Sequence, residues 1–166
     1  RVHVARGARF LANYLPAAGL DQIVEPCTRI IHFTGYETDT RELAVSGEAE
    51  HLLGTLLGTA DLIAQMADID YVRKCREHLY EEFVAGGMAG ERGEQSSHTG
   101  TIYRSPEQLL RMTPGFIRST ISDRLDGEFN GVHRYAAEHF EGRNLYLEAI
   151  RENCSNLELM LAAELS

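Results

Sequence analysis

The chain has 166 residues, a formal net charge of −9 and a pI of about 5.2, with 43% hydrophobic and 25% charged residues. This is an ordinary globular balance, long enough for one domain with a sizeable core. The acidic total argues against a nucleic-acid polymer as partner, and the longest apolar run is too short and too rich in glycine and threonine to span a membrane. A small phosphorylated substrate stays open, because a local arginine cluster or a metal can override the global field. Cys27, Cys75 and Cys154 lack CxxC spacing, which fits free thiols in a reducing, cytoplasmic setting. No signal peptide is visible. The chain opens on Arg1 inside an expected helix, and an N-terminal part is expected ahead of it.

Val2 to Leu15 reads as a helix, with Val4, Ala8, Leu11 and Leu15 inward and Pro16 ending it. His3, Gly7, Phe10 and Tyr14 form the neighbouring stripe, where Gly7 leaves room beside the His3 imidazole. Asp21 to Phe33 reads as a second helix with Ile23, Cys27, Ile30 and Ile31 inward. Pro26 lies too deep for a first turn begun at Asp21, so the helix either kinks there or starts its regular part near Glu25. His32 falls at the C-terminal end, where the helix dipole favours a cation.

Gly35 to Gly47 is a polar connection, and Ser46 is the expected cap of the next helix. That helix carries the apolar run Leu52 to Met66, which holds one charge, Asp61. Leu53, Leu57, Ala60, Ala64 and Ala67 give the expected core-facing stripe. Gly54, Gly58, Asp61 and Gln65 run beside it. A carboxylate at such a seam needs an arginine, several hydrogen bonds or a metal. His51 lies about 15 Å before Asp61 along the helix and reads as surface.

Ile69 to Val84 is expected to be helical, with Tyr71, Cys75, Leu79 and Phe83 inward and Arg73 and Lys74 on the solvated face. Residues 85–104 form a glycine-rich loop without a phosphate-cradle pattern. Ser105-Pro106-Glu107-Gln108 has the cap, first-turn proline and capping-box glutamine of a short helix. Thr113-Pro114 is expected to start another. His133 and His139, six apart, do not share a helix face. A last helix from Arg143 turns Leu145, Ile150, Cys154, Leu157, Leu161 and Leu165 inward. The fold class is all-α, without repeats or a coiled-coil heptad.

Three candidates remain: His3 in a His3-x3-Gly7 helix, His32 after Ile30-Ile31, and Asp61 in Thr59-Ala60-Asp61-Leu62. Imidazole nitrogen with carboxylate oxygen suits a divalent transition metal such as Fe, Mn, Co, Ni or Zn, and spacings this long require a site assembled between helices. The run from His3 through Asp61-Leu62 resembles the later part of an HD-domain metal-dependent phosphohydrolase. His3 with Gly7 is similar to the histidine helix after that family's His-Asp doublet, Ile30-Ile31-His32 to its next histidine segment, and Ala60-Asp61-Leu62 to its final aspartate motif.

The resemblance covers residues 1–84 and implies an HD-like helical bundle extended by the helices of residues 105–166. It also implies one or two metal ions on the doublet, His3, His32 and Asp61, with a metal-activated water attacking a nucleotide or other small phosphate ester. On this reading Arg73 or Lys74 holds phosphate, and Gln65 orients a ligand or water. No His-Asp doublet occurs in the 166 residues, and His32-Phe33 stands where some members have two histidines. The alternative is an HD-like module without catalysis that binds a ligand, senses or forms a homodimer. A purely structural protein would instead pair Asp61 with Arg6, Arg9 or Arg29.

Overall fold

The computed structural model describes residues 3–36, 38–85, 89 and 103–164. Every regular element among them is helical, in line with the all-α reading, and a lone bridge joins Ala89 to Tyr103. Most of the glycine-rich loop expected at residues 85–104 lies outside the described residues. The chain divides into two compact units, Arg1–Ala64 with Ser122–Asn144 and Gln65–Ile121 with Leu145–Ser166. No single helix among the described residues is long and apolar enough to cross a membrane.

In the first unit α1 (His3–Ala17) packs on α2 (Val24–Ile30) and on the 3-10 turn Ile31–Thr34 that follows it. Val4 and Leu15 are buried, as the spacing predicts. The helix outruns Pro16 by one residue, because a proline in a last turn removes only one late hydrogen bond. Gly19, at φ +72°, then reverses the chain, and Leu20 donates its N–H to the Leu15 carbonyl at 2.9 Å. The regular part of the second helix starts at Val24, one residue before Glu25, after a 3-10 turn at Asp21–Ile23. Ile23, expected inward, is 37% exposed. It lies in that tighter turn, whose repeat takes it off the α2 stripe.

Helix α3 (Glu48–Met66) overturns the expected stripe. Leu53 is 55% exposed and Leu57 39%, and Ala60 and Ala64 face solvent with them. The buried face is Gly54, Thr55, Gly58 and Thr59, continuing into Leu62 and Ile63. The glycines decide it. A β-carbon on Gly54 would lie 2.5 Å from the Phe33 ring, and one on Gly58 would lie 2.6 Å from the Phe33 carbonyl oxygen. Backbone approach this close is open only to the small-residue face, and the leucines are left outside.

The start of α3 also differs from the expected serine cap. Glu50 accepts the Ser46 backbone N–H at 3.0 Å. The Ser46 hydroxyl instead accepts from Arg29 Nη2 at 3.1 Å. Arg29 grips Glu50 through Nε at 2.5 Å and Nη2 at 3.0 Å, and pairs with Glu25. This fork ties α2 to the first turn of α3.

The remainder of this unit follows a π-helical stretch, Thr120–Glu128, whose wide turns close with Phe129 N–H on the Arg124 carbonyl at 2.7 Å. Phe129 and Leu125 are fully buried. After Asn130 and Gly131 come a 3-10 turn, Val132–Arg134, and α7 (Tyr135–His139). His133 does not meet His139 in a metal pair; its Nε2 lies 2.7 Å from Asp126, and Asn144 Nδ2 donates to its carbonyl at 2.8 Å.

In the second unit α4 (Tyr71–Lys74), a π turn at Cys75–Leu79 and α5 (Tyr80–Ala85) run on as one helix. Ile69, the expected start, stays outside it and is 95% exposed. Ser105 caps α6 (Pro106–Ser119), accepting the Gln108 N–H at 3.2 Å, while Gln108 Oε1 accepts from the Arg104 N–H at 2.6 Å. The two short helices expected around Thr113-Pro114 are one. Pro114 sits buried inside α6, the Thr113 hydroxyl bonds the Leu109 carbonyl, and the Cys154 thiol lies against the Pro114 carbonyl at 3.9 Å.

Helix α8 (Leu145–Ala163) supplies Ile150, Cys154 and Leu157 as predicted, together with Leu147; Leu145 is 40% exposed, being in the first turn. Cys75, Leu110 and Leu157 form a core with Tyr71, Val72 and Leu79 packed against it. Burial pushes the Cys75 and Cys154 thiols above their ordinary value. Asn153 Nδ2 donates to the carbonyls of Met66 and Asp68, 2.9 Å each, and so finishes the end of α3.

Ion pairs, three of them exposed and one with the buried Glu50, shape the response to acid. Asp39 is pulled down to about 2 by hydrogen bonds from Arg41. Glu50 is lowered by Arg29, Asp68 by Lys74 and Asp70 by Arg73. These carboxyls titrate lower in the folded chain than in the unfolded one. Their contribution is complete above the ordinary values of 3.8 for Asp and 4.5 for Glu and is lost as pH falls through the lower folded values. Urea midpoints measured across this range are expected to hold down to pH 5 and to fall progressively from about pH 4 toward pH 2. A midpoint that stayed level to pH 2 would show that these pairs do not contribute.

Candidate functional site

The 3-10 turn that bears His32 lies against both neighbouring candidate helices. On one side a β-carbon at Gly7 of α1 would come 2.8 Å from Ile31 Cδ1, and on the other Gly58 of α3 abuts the Phe33 carbonyl. Gly7 is one turn from His3, and Asp61 is one turn less a residue beyond Gly58. The segments that carry His3, His32 and Asp61 are thus neighbours within the first unit.

His3 is exposed, and His32 and Asp61 are half-buried. None of the three side chains makes a hydrogen bond or ion pair to the described residues. Arg29 is taken by Glu25 and Glu50, so the arginine pairing of Asp61 that a purely structural role would need is not made by it. Among the described residues, no three His, Cys, Asp or Glu side chains are grouped so that they could hold a metal ion. By themselves His3, His32 and Asp61 therefore do not fit one.

Phe33, beside His32, is fully buried against Gly54, Gly58 and Phe129. It is a packing residue of the core. Gln65 is exposed in the last turns of α3. Arg73 and Lys74 belong to the second unit and are locally neutralised, Arg73 by Asp70 and Glu77 and Lys74 by Asp68 at 2.5 Å.

One residue read as plain surface has a different place. His51 is half-buried, stands edge-on to Phe33 with ring centroids 5.6 Å apart, and borders two hollows of the first unit. Asn130 borders both as well and adopts φ +53°, a left-handed backbone uncommon outside glycine. The Asn130-Gly131 dipeptide is the signal available in the sequence, because Asn-Gly tolerates that conformation. Nothing in the sequence brings it opposite His51.

The chain matches no protein-family model, no curated protein and no solved structure.

Proposed function

We propose that this chain is a metal-dependent phosphohydrolase of the HD type, with residues 1–84 as its metal-site half, acting on a nucleotide or another small phosphate ester. The observation that supports the reading is Asp61: a half-buried carboxylate without a partner among the described residues, in a helix packed on the turn that carries His32. A half-buried carboxylate that no side chain of the described residues occupies, one turn from the close contact at Gly58, is open to a ligand role. His3 and His32 are the other protein ligands on this reading. A complete site also needs the His-Asp doublet, which the 166 residues do not contain. Arg73 and Lys74, paired with acids of the second unit, are left out of this reading, and Gln65 is an exposed polar residue of α3.

The test is elemental mass spectrometry on untagged protein, followed by a screen of phosphate esters with a longer chain that carries the doublet. About one equivalent or more of Fe, Mn, Co, Ni or Zn is expected with the doublet present. Asp61→Ala is expected to lower metal-dependent turnover by about a thousandfold or more while helical circular dichroism is unchanged. Unchanged turnover in that variant would sink the proposal.

A second reading, an HD-like module that binds a ligand or forms a homodimer without catalysis, draws on two observations. Phe33 fills the core where a second metal-binding histidine would stand, and Leu53 and Leu57 give α3 an exposed apolar stripe. Absence of metal from the longer chain, with a dimer that Leu53→Glu dissociates, would favour it.

A further inference from the structure

The two hollows that share His51 and Asn130 differ in chemistry. One, of about 590 Å³, is polar, and its arginines are neutralised: Arg41 by Asp39, and Arg124 by Glu128. The other, of about 490 Å³, has an apolar wall of Val45, Leu52 and Val132. Its size suits a small organic ligand. Two polar groups on its border have unused capacity.

The first is Arg134. It is exposed, donates through Nη1 to the Asn130 carbonyl at 2.8 Å, and makes no ion pair with the described residues. The second is His51, whose ring nitrogens bond nothing among the described residues. A guanidinium with spare donors suits a carboxylate. The single acid of this hollow, Glu48, is exposed. Its charge disfavours a dianion and leaves a monoanion as the better match.

We propose that this hollow binds a small monocarboxylate with an apolar body. The carboxylate meets Arg134 and His51, and the body packs on Val45, Leu52 and Val132. The site is separate from the metal-ligand reading and does not rest on it.

Benzoate is the probe, with benzamide as its uncharged counterpart, and EDTA is present throughout so that no metal contributes. Calorimetry and the His51 ring resonances are followed together. Benzoate is expected to shift those resonances saturably, and benzamide to bind about tenfold more weakly or worse. Arg134→Gln should weaken benzoate by a similar factor. Leu52→Trp should abolish binding by filling the hollow; Leu52 is 43% exposed, so the larger ring does not enter the core.

Equal binding of benzoate and benzamide, equally tight binding of inorganic phosphate, or no saturable shift would each overturn the proposal. So would benzoate binding that survives Leu52→Trp, and that variant decides the matter if Arg134→Gln fails to fold.

Discussion

Gly58→Ala is expected to destabilise the first unit by about 2–3 kcal/mol, although alanine is the better helix former by about 1 kcal/mol. The new β-carbon would sit 2.6 Å from the Phe33 carbonyl oxygen and 2.7 Å from the Phe129 ring. The first neighbour is backbone and the second a fully buried ring, so neither yields cheaply. Gly54→Ala meets the Phe33 ring at 2.5 Å and should act in the same direction. Gly115, in α6, is the control. Nothing lies within 4 Å of its would-be β-carbon, so the same substitution there should stabilise, by about 0.5–1 kcal/mol. For a chain of this size the losses correspond to melting temperatures lower by about 5–10 °C. If all three alanines stabilised alike, the close contact between α3 and Phe33 would be wrong, and with it the neighbourhood of His32 and Asp61.

The second large effect belongs to Arg124. It is 7% exposed, donates through Nη2 to the carbonyls of Phe33 (2.9 Å) and Gly35, and faces Glu128 with Nη1 at 3.6 Å. Its guanidinium also lies 4.1 Å from the centre of the Tyr36 ring. Two carbonyls at the end of the His32 turn thus depend on one side chain from the π-helical stretch. Arg124→Met should cost about 3–5 kcal/mol, since it strands those carbonyls and leaves the Glu128 charge without its partner. Glu128 also accepts the backbone N–H and hydroxyl of Thr40, at 3.1 and 2.6 Å. Glu128→Gln in the Arg124→Met background should therefore recover part of the loss, a coupling that a double-mutant cycle in urea measures. A loss under about 1 kcal/mol for Arg124→Met would mean that the turn holds itself.

The helical class, the α1 face and the Ser105 cap were legible in the sequence because each is set by local periodicity or local hydrogen bonding. The face of α3 was not. Counting apolar residues favours the Leu53 stripe, whereas the fold chose the face that lets backbones approach, and hydrophobicity does not measure that. Pro114 misled in the same way: a rule about isolated helices lost to burial between α6 and α8. At the candidate site, the order His3, His32, Asp61 was readable, but the partner expected for Asp61 is not found among the described residues. That the His32 turn would be gripped by Gly7 and Gly58 was not, since contacts across distant segments leave no trace in spacing. His51 was misjudged because Asn130 and Arg134, which line the same hollow, come from about eighty residues away in the chain.

The two units carry different numbers of sheltered thiols. Cys75 and Cys154 lie buried in the second unit, and Cys27 is half-buried in the first. Alkylation requires an accessible thiolate, so Cys75 and Cys154 react only when their unit opens, whereas Cys27 reacts closer to its intrinsic rate. Labelling kinetics followed by mass spectrometry can therefore time the opening of the second unit without any engineered probe. The same experiment, repeated on the glycine and Arg124 variants, tells whether damage to the first unit is passed on to the second.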